Sequence, residues 1–567
     1  MGAGRSQDEC YVGTCCCYVI AAEWPRPPRR LGILGAVAVI EVSELSYYLP
    51  GGRRLFDGVA LRVADGMHAA LVGANGTGKT TLLRLIAGEE KQTAGSIHID
   101  GRVGYMRQFI GTHGAETTVR DFLLSLAPPA VQGAAEELVA AEFIVARPHG
   151  KKAQMRYADA LARWGEVGGY DFEVLWDTCC GAAMGVSLDE LGPRLLDTLS
   201  GGEQKRIALE SLFRSDADVL LLDEPDNFLD VPGKRWLEAA INSSPKTILF
   251  VSHDRALLAA TSQRVITIEG NGSWVHAGSF ETYQQARGSR VTRIEEERKL
   301  YKAEHDRLIS LMKEFKRKAS YNDKFASKAR STEKRIERFE KTEAPRERPE
   351  EQNISMKLGG DRTGKIALRI EGLCIAGLVD PFDTEIWYGE RVAVLGPNGT
   401  GKSHFLKLLG GQDIVHSGSF KLGARVEPAL FSQLHERPDL VDRSILEVLL
   451  KRGIEMSRAM SALKRYELSL AARTPFPSLS GGQQARFQLL MIEVDRPTML
   501  LLDEPTDNLD LDSAEALEEG LIDFKGTVIA VTHDRWFMKL FDRFLLFDDD
   551  GGVTGSLVSP YEDVAVS

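Results

Sequence analysis

The sequence lacks the features that mark membrane proteins, metal-cluster proteins and secreted proteins. No apolar run in its 567 residues approaches the roughly 20 residues needed to cross a bilayer. Its seven cysteines include no C-x-x-C pair and no paired framework, which argues against zinc and iron–sulfur sites and against an oxidising compartment. A net charge of −11 argues against binding nucleic acid over the whole surface, although a local basic patch stays open. We therefore expect a cytoplasmic globular protein of two or three domains, whose membrane spans, if it serves a membrane, come from another chain.

A set of motifs is present twice. The first set comprises Leu-Ser-Gly-Gly-Glu-Gln-Lys-Arg at 199–206, an apolar run that ends in Asp-Glu-Pro at 223–225, and His-Asp at 253–254. The apolar run predicts a buried parallel strand with its functional end at the carboxyl edge, and the Gly-Gly pair offers backbone N–H groups to phosphate at a helix start. A fixed offset of 280 residues pairs Ser200 with Ser480, Asp223 with Asp503 and His253 with His533. This offset indicates a duplicated domain.

Residues 73–80 and 396–403 both match the phosphate-binding pattern G-x-x-x-x-G-K-[ST]. The first copy follows a strand pattern at 68–72 and precedes a helical pattern at 82–86. In such a loop (P-loop) the glycines let backbone N–H groups surround phosphate, the lysine reaches the β- and γ-phosphates, and the hydroxyl suits Mg²⁺. The sequence therefore predicts an α/β protein with two nucleotide sites.

Together these motifs resemble the ATP-binding cassette, and two cassettes in one chain without a membrane span resemble the ABC-F family. The segments 503–510 and 532–537 are close to that family's second-cassette sequences, and the resemblance covers roughly residues 40–567. It implies two P-loop ABC ATPase domains joined by an antiparallel helical hairpin. It also implies the cofactors ATP and Mg²⁺ and the hydrolysis of ATP to ADP and phosphate.

The expected organisation has four parts: a disordered N-terminal extension at 1–37, a first ABC ATPase domain at 38–286, a basic helical-hairpin linker at 287–345 and a second ABC ATPase domain at 346–567. A weak signal-peptide core at 11–22 is the alternative for the extension. Between Gln108 and Ser200 the first cassette is about 45 residues longer than the second. Region 109–198 is therefore expected to be an enlarged helical subdomain. It is either an arm that touches the ribosome, as in some ABC-F proteins, or a longer segment without a partner.

The linker carries the coiled-coil pattern of a hairpin. Apolar residues recur every seven positions from Ile294 to Phe315 and in a 4-3-4-3 spacing from Phe325 to Phe339, with a turn signal at 320–323. We expect two antiparallel helices, the first roughly 45 Å long at 1.5 Å per residue. Residues 311–341 contain eleven basic and five acidic side chains. Such a charged run is usually a solvated helix face. A basic hairpin tip also suits the phosphates of RNA. In the ABC-F family, the linker between the cassettes enters the tRNA exit site of the ribosome. The expected partner is the ribosome, through ribosomal RNA or tRNA at 311–341.

The resemblance further implies that the two cassettes pair head to tail, with each Leu-Ser-Gly-Gly motif (the signature) facing the P-loop of the other cassette. Site one joins the first P-loop to the second signature, and site two joins the second P-loop to the first signature. Glu224 and Glu504 would be general bases, and His253 and His533 would sense the γ-phosphate. Nucleotide contacts are expected from Tyr48, Gly73, Asn75, Gly76, Gly78, Lys79, Thr80, Thr81, Gln108, Ser200, Gly201 and Gly202 in the first cassette, and from Gly396, Asn398, Gly399, Gly401, Lys402, Ser403, Gln433, Ser480, Gly481 and Gly482 in the second. The metal ion is expected at Thr80, Gln108, Asp223, Ser403, Gln433 and Asp503.

Two positions depart from the family pattern. Residues 226–228 read Asp-Asn-Phe where the family usually has Thr-Asn-His, and an added carboxylate near Mg²⁺ calls turnover at site one into question but not nucleotide binding. Tyr48 suits adenine stacking in the first cassette, whereas the aligned positions 375–376 carry no ring. Adenine stacking should therefore be weaker at site two, by about 1 kcal/mol.

The predicted function is that of an ABC-F ATPase that acts on the ribosome as a translation factor or as an antibiotic-resistance protein. The alternative is the ATP-binding subunit of an exporter with separate membrane subunits, although such a subunit has no reason to join its cassettes by a basic hairpin. A DNA-repair cassette would need zinc modules or a long coiled coil, and neither pattern is visible.

Overall fold

The computed structural model describes residues 40–108, 116–145, 151–270, 272–319, 321, 323–342, 354–359, 363–432, 440 and 443–561. The predicted N-terminal extension at 1–37 and the predicted site residue Gln433 lie outside these ranges. Among the helices described, none combines the length and the apolar character that crossing a membrane requires.

The first cassette contains two sheets. Its strands are β1 Ile40–Tyr48, β2 Arg54–Val63, β3 His68–Val72, β4 Ala94–Ile99, β5 Val103–Met106, β6 Val219–Asp223, β7 Thr247–Val251, β8 Arg264–Glu269 and β9 Gly272–His276. Its helices are α1 Lys79–Ile86, α2 Val119–Ser125, α3 Pro129–Val145, α4 Lys151–Glu166, α5 Gly169–Met184, α6 Leu188–Leu191, α7 Gly201–Arg214, α8 Val231–Ser243 and α9 Arg255–Thr261, with a 3-10 turn at Leu196–Thr198. The sheet orders are β2-β1-β4 and β5-β6-β7-β3-β8-β9.

The second cassette repeats this arrangement. Its strands are β10 Ile366–Ile375, β11 Val379–Trp387, β12 Arg391–Leu395, β13 His416–Leu422, β14 Pro428–Phe431, β15 Met499–Asp503, β16 Thr527–Val531, β17 Arg543–Phe547 and β18 Val553–Ser556. After the linker helices α10 and α11, described below, its helices are α12 Lys402–Leu409, α13 Ile445–Lys451, α14 Met456–Arg465, α15 Gly481–Asp495 and α16 Leu511–Asp523, with 3-10 turns at Ser469–Ala471, Phe476–Ser478 and Phe537–Leu540. Its sheet orders are β11-β10-β13 and β14-β15-β16-β12-β17-β18. Because each strand takes the place of its counterpart, the predicted fold of two duplicated α/β cassettes is confirmed.

The centre of each large sheet is a buried parallel layer that brings the motifs to one edge. All five residues of β3, β6 and β7 are buried, as their near-continuous apolar sequences predict. β6 pairs with β7, and β7 pairs with β3, in parallel register. The loops after these three neighbouring strands therefore meet at the carboxyl edge of the sheet, where open α/β sheets bind ligands.

The two cassettes differ most between the P-loop and the signature. In the first cassette, α2 to α6 occupy this stretch, and Trp164 and Trp176 are buried among them. The corresponding stretch of the second cassette has the shorter helices α13 and α14. The added length of the first cassette thus consists largely of helix in the part of the stretch that the structure describes.

The linker forms an antiparallel hairpin of α10 (Phe280–Ala319) and α11 (Asp323–Thr342). Tyr301 stacks on Phe339 with ring centroids 4.7 Å apart, and Lys316 lies 3.0 Å from Glu333. The heptad pattern included Tyr301 and Phe339 among its apolar positions, and these two rings face each other. The turn residues Ser320 and Asn322 lie outside the described ranges.

The predicted length of the first linker helix was too short. α10 has 40 residues, which corresponds to about 60 Å at 1.5 Å per residue. It begins at Phe280, inside the range predicted for the first cassette. The reason is that Phe280 and Tyr283 are buried, so the opening turns of the helix are part of the cassette packing.

Candidate functional site

Each P-loop leaves the end of a buried strand and enters a helix. The loop between β3 and α1 needs glycine at Gly73, where an added Cβ would lie 2.5 Å from the carbonyl oxygen of Ile268. Lys79 begins α1, and its Nζ donates to the carbonyl oxygens of Gly73 at 2.7 Å and Ala74 at 3.2 Å. In the second P-loop, Lys402 donates to the Gly396 carbonyl at 2.8 Å. Burial lowers the pKa of both lysines, so a phosphate would pair with a poorly solvated ammonium.

The groups expected to hold the metal ion are a hydroxyl and a carboxylate in each cassette. Ser403 Oγ donates to Asp503 Oδ1 at 2.9 Å. Burial raises the pKa of Asp223, and the Thr80 hydroxyl opposes that rise. Within the described ranges, no cluster of three or more His, Cys, Asp or Glu side chains could hold a metal ion. One hydroxyl and one carboxylate, completed by nucleotide phosphates and water, fit the ligand set that Mg²⁺ takes in phosphoryl-transfer sites.

The two candidate bases lie directly after β6 and β15 in a strained backbone conformation. Glu224 has φ 48° and Glu504 has φ 46°, both in the left-handed region that residues other than glycine rarely adopt. Such strain is found at functional sites and persists where the surroundings hold it. The Glu224 N–H donates to the Val251 carbonyl at 3.0 Å, and the Glu504 N–H donates to the Val531 carbonyl at the same distance.

Different neighbours hold the two glutamate side chains. Gln108 Nε2 and Asn227 Nδ2 each donate to Glu224 Oε2 at 2.6 Å. Glu504 Oε2 instead accepts the His533 backbone N–H at 3.1 Å. Burial, reinforced by Asp223, raises the pKa of Glu224; burial, reinforced by Asp507 and Asp503, raises the pKa of Glu504. A raised pKa brings a carboxylate closer to the range that suits general-base catalysis.

The histidines of the His-Asp motifs are neutral at neutral pH. Burial, with Lys79 as the second cause, lowers the pKa of His253 to about 3. Burial and Lys402 lower the pKa of His533 as well. Both imidazoles would therefore meet a γ-phosphate as neutral hydrogen-bonding groups.

The structure brings each P-loop against the signature of the opposite cassette and against the loop that follows its Asp-Glu-Pro strand. A Cβ added at Gly482 would lie 2.3 Å from Asn75 Nδ2, and one added at Gly202 would lie 3.3 Å from Asn398 Nδ2. Asn75 Nδ2 donates to the Asn508 carbonyl at 3.3 Å, and Asn398 Nδ2 donates to the Phe228 carbonyl at 2.9 Å. Asn75 also donates its backbone N–H to Asp510 Oδ2 at 2.9 Å. Both contacts cross between cassettes, so the expected head-to-tail arrangement of P-loop and signature is the one observed.

We expect Gly482→Ala to weaken this pairing at site one. An added Cβ would lie 2.3 Å from Asn75 Nδ2 and 3.1 Å from the Asn508 carbonyl, so the hydrogen bond between them would be lost. One such bond contributes about 1 kcal/mol, which corresponds to a loss of site-one turnover of roughly fivefold. The measurement is nucleotide hydrolysis in a Glu504→Gln background. Gly481→Ala is the matched control, because its Cβ would meet Asn508 at an ordinary 3.6 Å. Equal losses in the two variants would contradict this account.

A cavity of about 1110 Å³ opens beside the first P-loop. It is lined by residues 73–77 from the first cassette and by Gln483 and Arg486 from the second, so both cassettes enclose it. Arg287 of α10 also lines it and pairs with Asp512 at 2.9 Å. Tyr48, the expected adenine-stacking residue, stands at the end of β1 with 45% of its surface exposed. The cavity wall on that side is formed by residues 53–55.

Sequence reasoning missed several residues that join the cassettes. Arg255 pairs with Glu518, and the equivalent Arg535 pairs with Glu238. Both arginines stand two positions after the motif histidine, and the 280-residue offset relates the two pairs. The repetition of both residues at the same offset could have identified these ion pairs from the sequence. Lys234 gave no such signal, because it has no lysine counterpart in the second cassette.

Asp226, the added carboxylate, lies in a buried charged cluster. Burial and the neighbouring Asp254 raise its pKa to about 6, while Lys234, Ser252 and Lys205 oppose the rise. Lys205 is fully buried on α7, and its Nζ donates to the Glu224 carbonyl. The carboxylate is thus accompanied by two lysines of its own cassette, and these lysines compensate its charge.

Comparison with known proteins adds four findings. The family model described as ABC transporter matches residues 56–227 and 379–507. The chain is 48% identical to an antibiotic resistance protein of Mycobacteroides abscessus over 91% of this chain and 99% of that protein. It is 27% identical to the energy-dependent translational throttle protein EttA of Escherichia coli O6:H1, over 91% of this chain and 93% of that protein. The solved archaeal ribosome recycling factor aABCE1 has a similar fold, with a TM-score of 0.54, 19% identity, and coverage of 90% of this chain and 89% of that one.

Proposed function

Since this chain belongs to the ABC transporter family and, within it, to the ABC-F proteins with two cassettes in one chain, we propose that it acts on the ribosome. The chain is an ATPase. Its role would be that of a translation factor or of an antibiotic-resistance protein that protects the ribosome. The same proposal places it in the cytoplasm, where ribosomes are found.

The observation that carries the proposal is the basic hairpin. α10 and α11 extend away from a cassette pair whose chain has a net charge of −11, yet residues 311–341 hold eleven basic and five acidic side chains. A concentrated positive charge on a narrow helical tip matches the phosphate backbone of ribosomal RNA or tRNA. An exporter subunit would have no evident use for such a tip.

The names of two relatives support a role in translation or in antibiotic resistance. One is an antibiotic resistance protein, and the other is a translational throttle protein. The exporter alternative would require a membrane subunit that binds this chain. Recovery of such a subunit, with no ribosome association, would favour the exporter.

The geometry supports hydrolysis between paired cassettes. Lys79 and Lys402 would bind the β- and γ-phosphates, and the opposite signature would complete each site with backbone N–H groups. Glu224 and Glu504 would each accept a proton from the attacking water, with Gln108 orienting Glu224. Thr80, Ser403, Asp223 and Asp503 would hold Mg²⁺, which neutralises phosphate charge when bound. Bound nucleotide would thus close the cassettes, and hydrolysis would release them.

Sedimentation with ribosomes through a sucrose cushion tests the proposal. We expect the protein to pellet with ribosomes in ATP and to remain largely in the supernatant in ADP, because only ATP bridges the cassettes. A Lys79→Ala, Lys402→Ala protein is the control, since it lacks both phosphate-binding lysines. Failure to pellet with ribosomes in any nucleotide state would contradict the proposed function.

A further inference from the structure

Lys234 of α8 is a buried lysine that the cassette motifs do not account for. Its Nζ lies 3.0 Å from Asp254 Oδ2 of its own cassette, and its side chain is 6% exposed. Nζ also donates to the backbone carbonyl of His533 in the second cassette at 3.3 Å. A buried ammonium is costly unless it is paired. The pairing partners of Lys234 belong to both cassettes.

Four aspartates surround this lysine, two from each cassette. Burial alone would lower the pKa of Lys234, but Asp254, Asp507, Asp226 and Asp534 together raise it. Lys234 is therefore firmly protonated. It supplies a fixed positive charge between two groups of carboxylates that would otherwise repel each other across the interface.

The contact is asymmetric. The 280-residue offset places Ala514 where the second cassette would need a lysine, so no equivalent side chain reaches the His253 carbonyl from α16. The arginine pairs Arg255–Glu518 and Arg535–Glu238, by contrast, are reciprocal. The bond from Lys234 thus distinguishes the two nucleotide sites.

His533 connects this bond to the chemistry of site two. Its backbone N–H donates to Glu504 Oε2 at 3.1 Å, and its Nε2 lies 3.4 Å from Glu504 Oε1. Lys234 holds the carbonyl of this same residue from the opposite cassette. Glu224 of site one is held by Gln108 and Asn227 of its own cassette.

We propose that Lys234 is a positioning residue for site two, which holds His533 from the opposite cassette in the arrangement that orients Glu504. Hydrolysis at site two then depends on this bond between the cassettes. Site one also needs the opposite signature, but α16 has Ala514 in place of the lysine that would bind its motif histidine. This inference rests on the proposed hydrolysis of ATP between paired cassettes.

Single-site proteins test the role of Lys234. Glu224→Gln leaves site two active, and Glu504→Gln leaves site one active. In the first background, Lys234→Met should lower kcat on the order of tenfold or more, because small misplacements of a reacting group are costly. The KM for ATP should change little, since Lys234 contacts neither P-loop. In the Glu504→Gln background, where only site one is active, Lys234→Met should lower kcat less than about twofold. Lys234→Arg should lower the kcat of site two less than Lys234→Met does, because arginine keeps a hydrogen-bond donor.

A compensating variant separates positioning from charge neutralisation. Lys234→Met removes a buried positive charge that the four aspartates share, so thermal unfolding of each protein is measured alongside turnover. Adding Asp507→Asn removes one of these charges and introduces the residue that the first cassette has at Asn227. We expect the double variant to regain thermal stability while site-two kcat stays low, because the donor to His533 is still missing. Asp507→Asn alone is the matched control.

Three outcomes would overturn the role of Lys234. They are recovery of site-two kcat in the Lys234→Met, Asp507→Asn protein, equal losses at both sites in Lys234→Met, and unchanged kcat in Lys234→Met. A Glu224→Gln protein that fails to hydrolyse ATP at all would contradict hydrolysis at site two and, with it, this role. That failure is recognisable because it occurs before Lys234 is changed.

Discussion

A protein that carries both Glu224→Gln and Glu504→Gln should bind ATP and lose hydrolysis by a factor on the order of 10²–10⁴. Each site has one glutamate directly after its Asp-bearing strand, held in the left-handed backbone region. Glutamine keeps the shape of the side chain but cannot accept a proton from water. Phosphate release measures the loss, and equilibrium binding of labelled ATP shows that the sites remain intact.

The single variants serve as controls for this experiment. Each should keep the turnover of its unchanged site, so that the double variant is far less active than either. Because the double protein cannot leave its ATP-bound state, we also expect it to pellet with ribosomes and to inhibit translation in a cell-free system. Ordinary turnover in the double variant would refute the assignment of both bases.

Removal of charge from the hairpin tip should have the second large effect. We consider the six-fold change to glutamine of the basic residues that flank the turn, which are Lys316, Arg317, Lys318, Lys324, Lys328 and Arg330. If they meet RNA phosphates, the slope of log affinity against log salt should flatten by about 4, at roughly 0.7 for each phosphate that is no longer neutralised. Ribosome association should fall at physiological salt, while ATP hydrolysis by the free protein should persist because no tip residue belongs to a cassette motif.

The hairpin offers a matched control nearer its base. Arg298, Lys299 and Lys302 are exposed on the same helix but stand well before the tip. Their change to glutamine also removes positive charge from α10 and should leave the salt slope close to that of the parent. If the six-fold tip variant sediments as the parent does across a salt series, the tip is only a solvated helix end. Co-purification of a membrane subunit would then become the decisive measurement.

The parts of the fold that could be predicted are those determined by local sequence patterns, such as an apolar run, a P-loop motif or a heptad repeat. The apolar run before Asp223 favoured a buried strand, and the P-loop pattern predicted the strand and helix observed as β3 and α1. The heptads of the linker marked Tyr301 and Phe339 as contact positions of its two helices, because coiled-coil packing follows from the sequence period. In each case neighbouring residues determine the outcome.

The parts that could not be predicted depend on contacts between distant segments. Lys234 is one of three charged residues on α8, and its importance follows only from the approach of His533, which is 299 residues away in sequence. The start of α10 at Phe280 follows from burial of Phe280 and Tyr283 against the first cassette, which helical periodicity alone does not reveal. The roles of Tyr48 and Gln433 remain predictions, since Tyr48 does not itself line the cavity and Gln433 is outside the described ranges.

The continuity of α10 has a mechanical consequence. Near its start, α10 forms an ion pair with each cassette. Arg290 pairs with Glu269 of the first cassette, and Arg287 pairs with Asp512 of the second. From Arg287 to Ala319 it extends about 48 Å at 1.5 Å per residue. A rod of that length turns a rotation of about 10° at its base into a displacement of about 8 Å at its far end. Because Arg287 also lines the cavity beside the first P-loop, a small rotation of α10 at that wall would move the tip by a distance comparable to the size of a nucleotide.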